Sequence, residues 1–125
     1  MKSYTDLKQS KKLAEFLPLE SADMCYKCLG EDPYDIVMRP YTDWKEEYKG
    51  LLISGDANVF PCWSLAALMN LLPNCTDIVK EEADTENEKY MCTVGVKDDI
   101  ICTFGNNPVD ACVAMIEKLH ELNLL

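Results

Sequence analysis

The sequence lacks a long hydrophobic run. No stretch of the 125 residues holds the ~18 or more consecutive apolar residues that a membrane-spanning helix needs. The opening segment, MKSYTDLKQSKKLAEF, also lacks the apolar core and the small-residue cleavage site of a secretory signal peptide. We therefore expect no membrane partner and a cytoplasmic location.

Histidine and glycine are scarce. His120 is the single histidine, and the five glycines are scattered rather than grouped as in a phosphate-binding loop. His120 falls on the apolar side of a predicted helix, where a packed residue is more usual than a catalytic base. Neighbouring carboxylates such as Asp98 and Asp99 tend to point apart, which makes a poor acid–base pair. These features predict a non-enzymatic protein with no catalytic residue and no cofactor.

Basic residues are few beside acidic ones. Twelve Lys and Arg face 22 Asp and Glu, giving a formal charge of −10. Binding to a phosphate backbone depends on clustered Lys and Arg, so we expect no nucleic-acid partner. An acidic chain is suited instead to a protein partner with a basic surface. Composition gives no indication of the oligomeric state.

Seven cysteines are present, an odd number that argues against a disulfide framework in a chain without an export signal. Most lie in apolar patterns and are interpreted as small buried hydrophobes, so Cys92 and Cys112 should react slowly with thiol reagents. Cys25 and Cys28 form the single C-x-x-C and should react faster. A structural zinc site needs four ligands, usually two such pairs. We therefore predict no metal, with Cys25 and Cys28 as weak candidate ligands.

The last twenty residues predict a helix over 107–121. Asn107 is suited to the N-cap and Pro108 to the first turn, and apolar residues then recur at steps of three and four. A second helix is predicted over 61–72, between Pro61 in its first turn and Pro73 after its end. A third lies within residues 1–17, capped by Thr5 or Asp6.

Three strands are predicted between the last two helices, at 75–80, 90–96 and 100–104. The alternation of apolar residues in the last two, joined at Asp98-Asp99, indicates an antiparallel hairpin. The fold class is therefore α+β. We expect one domain over 1–125, with the N-terminal helix in 1–17, an irregular middle in 18–59 and an αβββα core in 60–125.

The irregular middle is rich in aromatic residues. Short strands are possible at 24–29, 34–38 and 48–54. The aromatic rings either cover the edge of a core or form a recognition surface, because Tyr and Trp are common in both settings. The candidate partner-binding residues are Tyr34, Tyr41, Trp44 and Tyr48.

The element order of residues 60–125 resembles that of the double-stranded-RNA-binding domain. In that family the last helix begins with a lysine cluster that contacts phosphates, whereas here the matching stretch is Pro108–Cys112 and the first lysine is Lys118. Residues 60–125 hold 11 acidic and 4 basic residues, a net of −7. The resemblance therefore implies the topology and not RNA binding.

Three phrases resemble an uncharacterised family of small acidic proteins from Bacteroides and related gut bacteria. They are QSKKLAEFLPLESADM (9–24), FPCWSLAALMNLLP (60–73) and NPVDACVAMIEKLHELNLL (107–125). That family is associated with phage-like or mobile-element settings. The resemblance implies a compact α+β protein with an accessory role, and it implies no catalytic residue or cofactor.

Three functions remain open from the sequence. The first is a small non-enzymatic accessory protein that binds another protein. The second is a cysteine- or zinc-dependent small enzyme or redox protein. The third is an acidic inhibitor that mimics nucleic-acid charge, whose binding should weaken steeply with salt.

Overall fold

A computed structural model describes residues 2–28, 36–40, 59–81 and 89–125. The chain divides into two compact units, one of Thr5–Ala67 and one of Met1–Tyr4 with Leu68–Leu125. Within the described ranges, the helices are too short or too polar to cross a bilayer. The expectation of a single domain stays a prediction.

The Thr5–Ala67 unit begins with helix α1, Leu7–Leu13. Asp6 is its N-cap: its carboxylate accepts a hydrogen bond from the Gln9 N–H at 2.7 Å, and the Gln9 side chain accepts from the Asp6 N–H at 3.0 Å. This reciprocal arrangement satisfies two N–H groups that the first turn would leave unpaired. The predicted Asp6 cap is confirmed, while the helix ends at Leu13 rather than reaching Leu17.

Three antiparallel strands follow in this unit: β1 Met24–Cys28, β2 Ile36–Pro40 and β3 Val59–Cys62. β1 is central, in the order β2-β1-β3. The first two strands lie where the sequence indicated strands, and the possible strand at 48–54 falls outside the described residues. Part of the predicted irregular middle is therefore a sheet.

The predicted helix over 61–72 is wrong at its start. Residues up to Cys62 belong to β3, and helix α2 spans Leu65–Leu71. Pro61 lies opposite Cys25 in the β1–β3 pairing, and Ser64 marks the true start of the helix because its Oγ accepts from the Ala67 N–H at 3.2 Å. Asp23 fixes this residue by accepting from the Ser64 N–H at 2.9 Å. Both proline and serine are compatible with a helix start, so local sequence did not separate them.

The second unit contains an antiparallel sheet of β4 Thr76–Glu81, β5 Lys89–Val96 and β6 Asp99–Gly105, with β5 central. The β5–β6 turn is Lys97-Asp98, one residue earlier than expected, because Asp99 already pairs with Val96. Lys97 has a φ of 53°, in the left-handed region that such two-residue turns require.

Helix α3, Pro108–Glu121, follows the sheet. Asn107 is its N-cap, as predicted, and accepts from the Asp110 N–H at 2.9 Å. Lys2 forms an ion pair with Asp110 at 2.9 Å, which fixes the start of the chain to the same helix. The α+β class, with an N-terminal helix and then a helix, a three-stranded antiparallel sheet and a helix, is confirmed.

Candidate interaction surface

One face of the β4-β5-β6 sheet is covered by helix α3, which packs on β5 and β6. On β5 the alternate residues Tyr90, Cys92 and Val94 are buried beneath it. Thr103 of β6 lies on this face too and donates a hydrogen bond to the Ala111 carbonyl at 2.9 Å. This helix-covered face is the core of the second unit.

The opposite face of the same sheet, here called the open face, is formed by the other alternate residues of each strand. Cross-strand partners share a face, so the register defines its members. They are Asp77, Val79 and Glu81 of β4, Lys89, Met91, Thr93 and Gly95 of β5, and Ile100, Cys102 and Phe104 of β6.

An apolar row crosses the open face. Val79 pairs with Met91, and Met91 pairs with Phe104, so the three side chains lie side by side across all three strands. Val79 is 48% exposed and Phe104 53%, and Ile100 at the turn end of β6 reaches 73%. Contiguous exposed apolar area of this kind typically marks an interaction site, because single surface hydrophobes are ordinary but rows are not.

Polar residues border the apolar row. Asp77 and Glu81 lie on β4 at either side of Val79, and Lys89 is the partner of Glu81 on β5. Two carboxylates therefore flank the row on β4, against one ammonium group. An apolar centre with a charged rim is the usual composition of a protein–protein contact surface.

The sequence contains a signal for this second apolar face. A strand covered on one side only needs apolar residues at every second position. Here Ile78 and Val79 are adjacent on β4, and Ile100 and Ile101 are adjacent on β6. Apolar residues of both parities indicate a strand with two apolar faces, whereas one helix layer covers only one of them.

The predicted site residues fall into those that the structure describes and those that lie outside the described residues. Tyr34, Tyr41, Trp44 and Tyr48 lie outside the described residues, so their role stays a prediction. Cys25 lies on β1 and is fully buried, which contradicts the accessibility on which its expected fast labelling rested.

Cys28, the second residue of the C-x-x-C, lies at a strand end, and the single histidine, His120, lies on a helix. Cys28 ends β1, and its side chain is outside the described residues. His120 is exposed on α3, so its predicted burial on the apolar stripe is wrong. In the part of the chain that is described, no three His, Cys, Asp or Glu side chains are grouped as metal ligands.

A buried polar cluster lies in the first unit around Thr5. Its hydroxyl is 2.8 Å from that of Ser10 and 3.4 Å from the Cys62 sulfur, and its carbonyl accepts from the Tyr26 hydroxyl at 2.5 Å. The Thr5 N–H also donates to the Trp63 carbonyl at 2.9 Å, and the Trp63 N–H donates to the Thr5 hydroxyl at 3.2 Å. The cluster connects the segment before α1 to β1 and β3 by hydrogen bonds. These bonds satisfy the buried hydroxyl groups of Thr5 and Ser10.

Two of the buried thiols, Cys62 and Cys112, are held in the neutral form. Burial raises the pKa of Cys62 above its usual value. A hydrogen bond with Cys92 and burial between sheet and helix likewise raise the pKa of Cys112. Because the thiolate is the nucleophile and the metal ligand, neither residue has the environment of a reactive cysteine.

Thiol labelling tests this burial pattern. We expect Cys75 and Cys102, which are exposed, to react rapidly with a maleimide in native protein. Cys25, Cys62, Cys92 and Cys112 should react only after denaturation, because they are buried. Mass spectrometry of peptides after timed labelling gives each rate. Rapid labelling of Cys92 or Cys112 in folded protein would contradict the packing of α3 on β5.

Comparisons of the chain with protein-family models, curated proteins and solved structures give no match.

Proposed function

We propose that the chain is a small non-enzymatic protein-binding module whose contact surface is the open face. The observation that carries this proposal is the row Val79–Met91–Phe104, which presents apolar side chains on the side of the sheet opposite α3. These residues add little to the core. Burial of this sheet face against a partner would give their apolar side chains a physical role.

The partner presents an apolar strip flanked by basic residues. The apolar row binds the strip, because removing both surfaces from water is favourable at ~25 cal/mol per Å². Asp77 and Glu81 beside the row attract Lys or Arg, and the net charge of −10 speeds encounter with a basic protein. An accessory role for a phage or mobile element is compatible with this binding function and is part of the proposal.

The test uses a matched pair of substitutions at similarly exposed apolar residues. Phe104→Thr removes the largest side chain of the row and keeps a residue type that favours strands. Met69→Gln is the control, because Met69 is 46% exposed but belongs to helix α2 and not to the β4-β5-β6 sheet. A lysate of the cells in which the protein naturally occurs is passed over immobilised wild-type protein and over each variant. Captured proteins are identified by mass spectrometry.

We expect a protein captured by wild type and by Met69→Gln to be lost with Phe104→Thr. Binding of the purified partner should weaken several-fold, but not vanish, on raising salt, because the apolar row contributes independently of charge. A steep loss with salt and no effect of Phe104→Thr would instead support the acidic nucleic-acid mimic. Equal capture by all three proteins would contradict the open face as the binding surface.

The aromatic residues Tyr34, Tyr41, Trp44 and Tyr48 remain a second predicted partner surface. Trp44→Ala provides the corresponding test in the same capture assay. Trp44→Ala could lose the captured partner at unchanged stability while Phe104→Thr still captures it. That result would place the binding surface in the aromatic segment and contradict the open face.

A further inference from the structure

Among the described residues, β4 and β6 are the edge strands of the second sheet, and they differ in how they are protected against pairing with another chain. Edge strands are usually blunted by charged residues, proline or short length. β4 carries Asp77, Lys80 and Glu81 among its six residues. β6 is seven residues long and has neither charge nor proline from Ile100 to Gly105. β6 is thus the edge more open to an additional strand.

We propose that a second copy of this chain pairs with β6 in antiparallel orientation, about a two-fold axis at Cys102. Cys102 is the midpoint of Asp99–Gly105. In this register Ile100 of one copy lies opposite Phe104 of the other, and the two Cys102 residues face each other. Two such strands would join two three-stranded sheets into one of six strands.

The register brings together the two most exposed apolar residues of the edge. Ile100 is 73% exposed and Phe104 is 53% exposed in the single chain, and both lie on the open face. Directly opposite apolar side chains on one face stabilise an antiparallel pair. The symmetry forms this contact twice, since each copy supplies one Ile100 and one Phe104.

This arrangement avoids like charges directly opposite each other. Asp99 lies opposite Gly105 of the other copy, so no like charges face each other across the strands. The Asp98-Asp99 tip then lies beside residues 105–107 of the second copy, where α3 begins at its Asn107 cap. The positive end of the helix dipole favours negative charge there. A register shifted by two residues would lose the Ile100–Phe104 contact. It would also move the Asp98-Asp99 tip away from the start of α3 in the second copy.

The dimer is expected to be weak and to strengthen with salt. One pair of edge strands covers less surface than the roughly 1,200–2,000 Å² of stable complexes. Each copy carries a formal charge of −10, and salt screens the repulsion between copies. A basic partner on the open face shows the opposite salt dependence, which distinguishes the two associations. This inference does not depend on the proposed function.

Crosslinking with a short bismaleimide tests the register. The chain with Cys28→Ser and Cys75→Ser retains Cys102 as its exposed cysteine, and the chain with Cys28→Ser and Cys102→Ser retains Cys75 as the matched control. We expect several-fold more crosslinked dimer with Cys102 than with Cys75, increasing with protein concentration and with sodium chloride. Equal crosslinking through either cysteine would overturn the proposal.

Sedimentation velocity on two lysine variants distinguishes edge pairing from stacking of open faces. Ile100→Lys places a charge on the β6 edge, whereas Val79→Lys places one on β4 of the same face. We expect Ile100→Lys to abolish the salt-promoted dimer and Val79→Lys to preserve it. Wild-type protein that stays monomeric at high concentration and high salt would overturn the proposal, as would equal loss of the dimer in both variants.

Discussion

Replacing Gly105 with alanine is expected to destabilise the protein by about 3 kcal/mol, at the upper end of the usual cost of overpacking. A Cβ atom at this position would lie 2.4 Å from the Ala111 backbone nitrogen and 2.8 Å from the Asp110 carbonyl carbon. These atoms belong to the first turn of α3 and cannot move without displacing the helix. Gly105 therefore permits the close approach of α3 to the end of β6.

Gly95→Ala is the matched control for this substitution. A Cβ at Gly95 would lie 3.8 Å from the Cys75 sulfur, an ordinary van der Waals contact. We expect its effect on the free energy of unfolding to be within about 0.5 kcal/mol. Urea denaturation followed by circular dichroism measures both variants. Similar stabilities for Gly105→Ala and wild type would show that α3 does not approach β6 this closely.

Trp63→Ala is expected to cost about 3–5 kcal/mol, the range for removing a large buried aromatic side chain. Trp63 is fully buried, and its indole N–H donates to the Ser21 hydroxyl at 2.9 Å. The loss is a large fraction of the ~5–15 kcal/mol that typically stabilises a domain.

Two further variants separate the contributions of Trp63. Trp63→Phe keeps most of the apolar volume and loses the hydrogen bond, so it should cost much less than Trp63→Ala. Ser21→Ala removes the acceptor, together with the hydrogen bond that the Ser21 hydroxyl donates to the Pro18 carbonyl at 2.6 Å. It should cost roughly 1–3 kcal/mol, mainly because the buried indole N–H is left unpaired. Thermal and urea unfolding give the three values. A loss below about 1 kcal/mol for Trp63→Ala would contradict its place in the core.

The sequence predicted the second unit well because its signals are local. Asn107 with Pro108 defines a helix start, and the alternation around Cys92 and Val94 defines a strand. The one-residue error in the β5–β6 turn arose because Asp98-Asp99 resembles a turn pair. Cross-strand pairing of Asp99 with Val96 decides the position, and that pairing is not readable from composition.

The first unit was harder to predict because its order depends on contacts between distant residues. Phe60–Cys62 forms a strand through pairing with β1, about 35 residues earlier in the chain. Thr5 and Trp63 are likewise joined across 58 positions by the Trp63 N–H and the Thr5 hydroxyl. Such pairings leave no periodic signal in either segment, so the local sequence around Pro61 indicates a helix start although Pro61 lies in β3.

Predicting the candidate surface requires the topology of the sheet and helix as well as the residue types. Adjacent apolar pairs such as Ile100-Ile101 indicate two apolar faces, but only the arrangement of α3 shows which of the two is covered. The exposure of Cys102 and the burial of Cys25 follow from the same cause. Both sit in apolar strand sequences, and the neighbouring layer determines which thiol meets solvent.

We propose that the open face binds a partner and is dispensable for folding. The most direct measurement is the free energy of unfolding of Phe104→Thr together with its affinity for a captured partner, on the same protein sample. We predict a change in stability within about 0.5 kcal/mol, as for an exposed residue, and loss of partner binding. A stability loss of about 2 kcal/mol or more, with binding retained, would show that Phe104 belongs to the core and would contradict the claim.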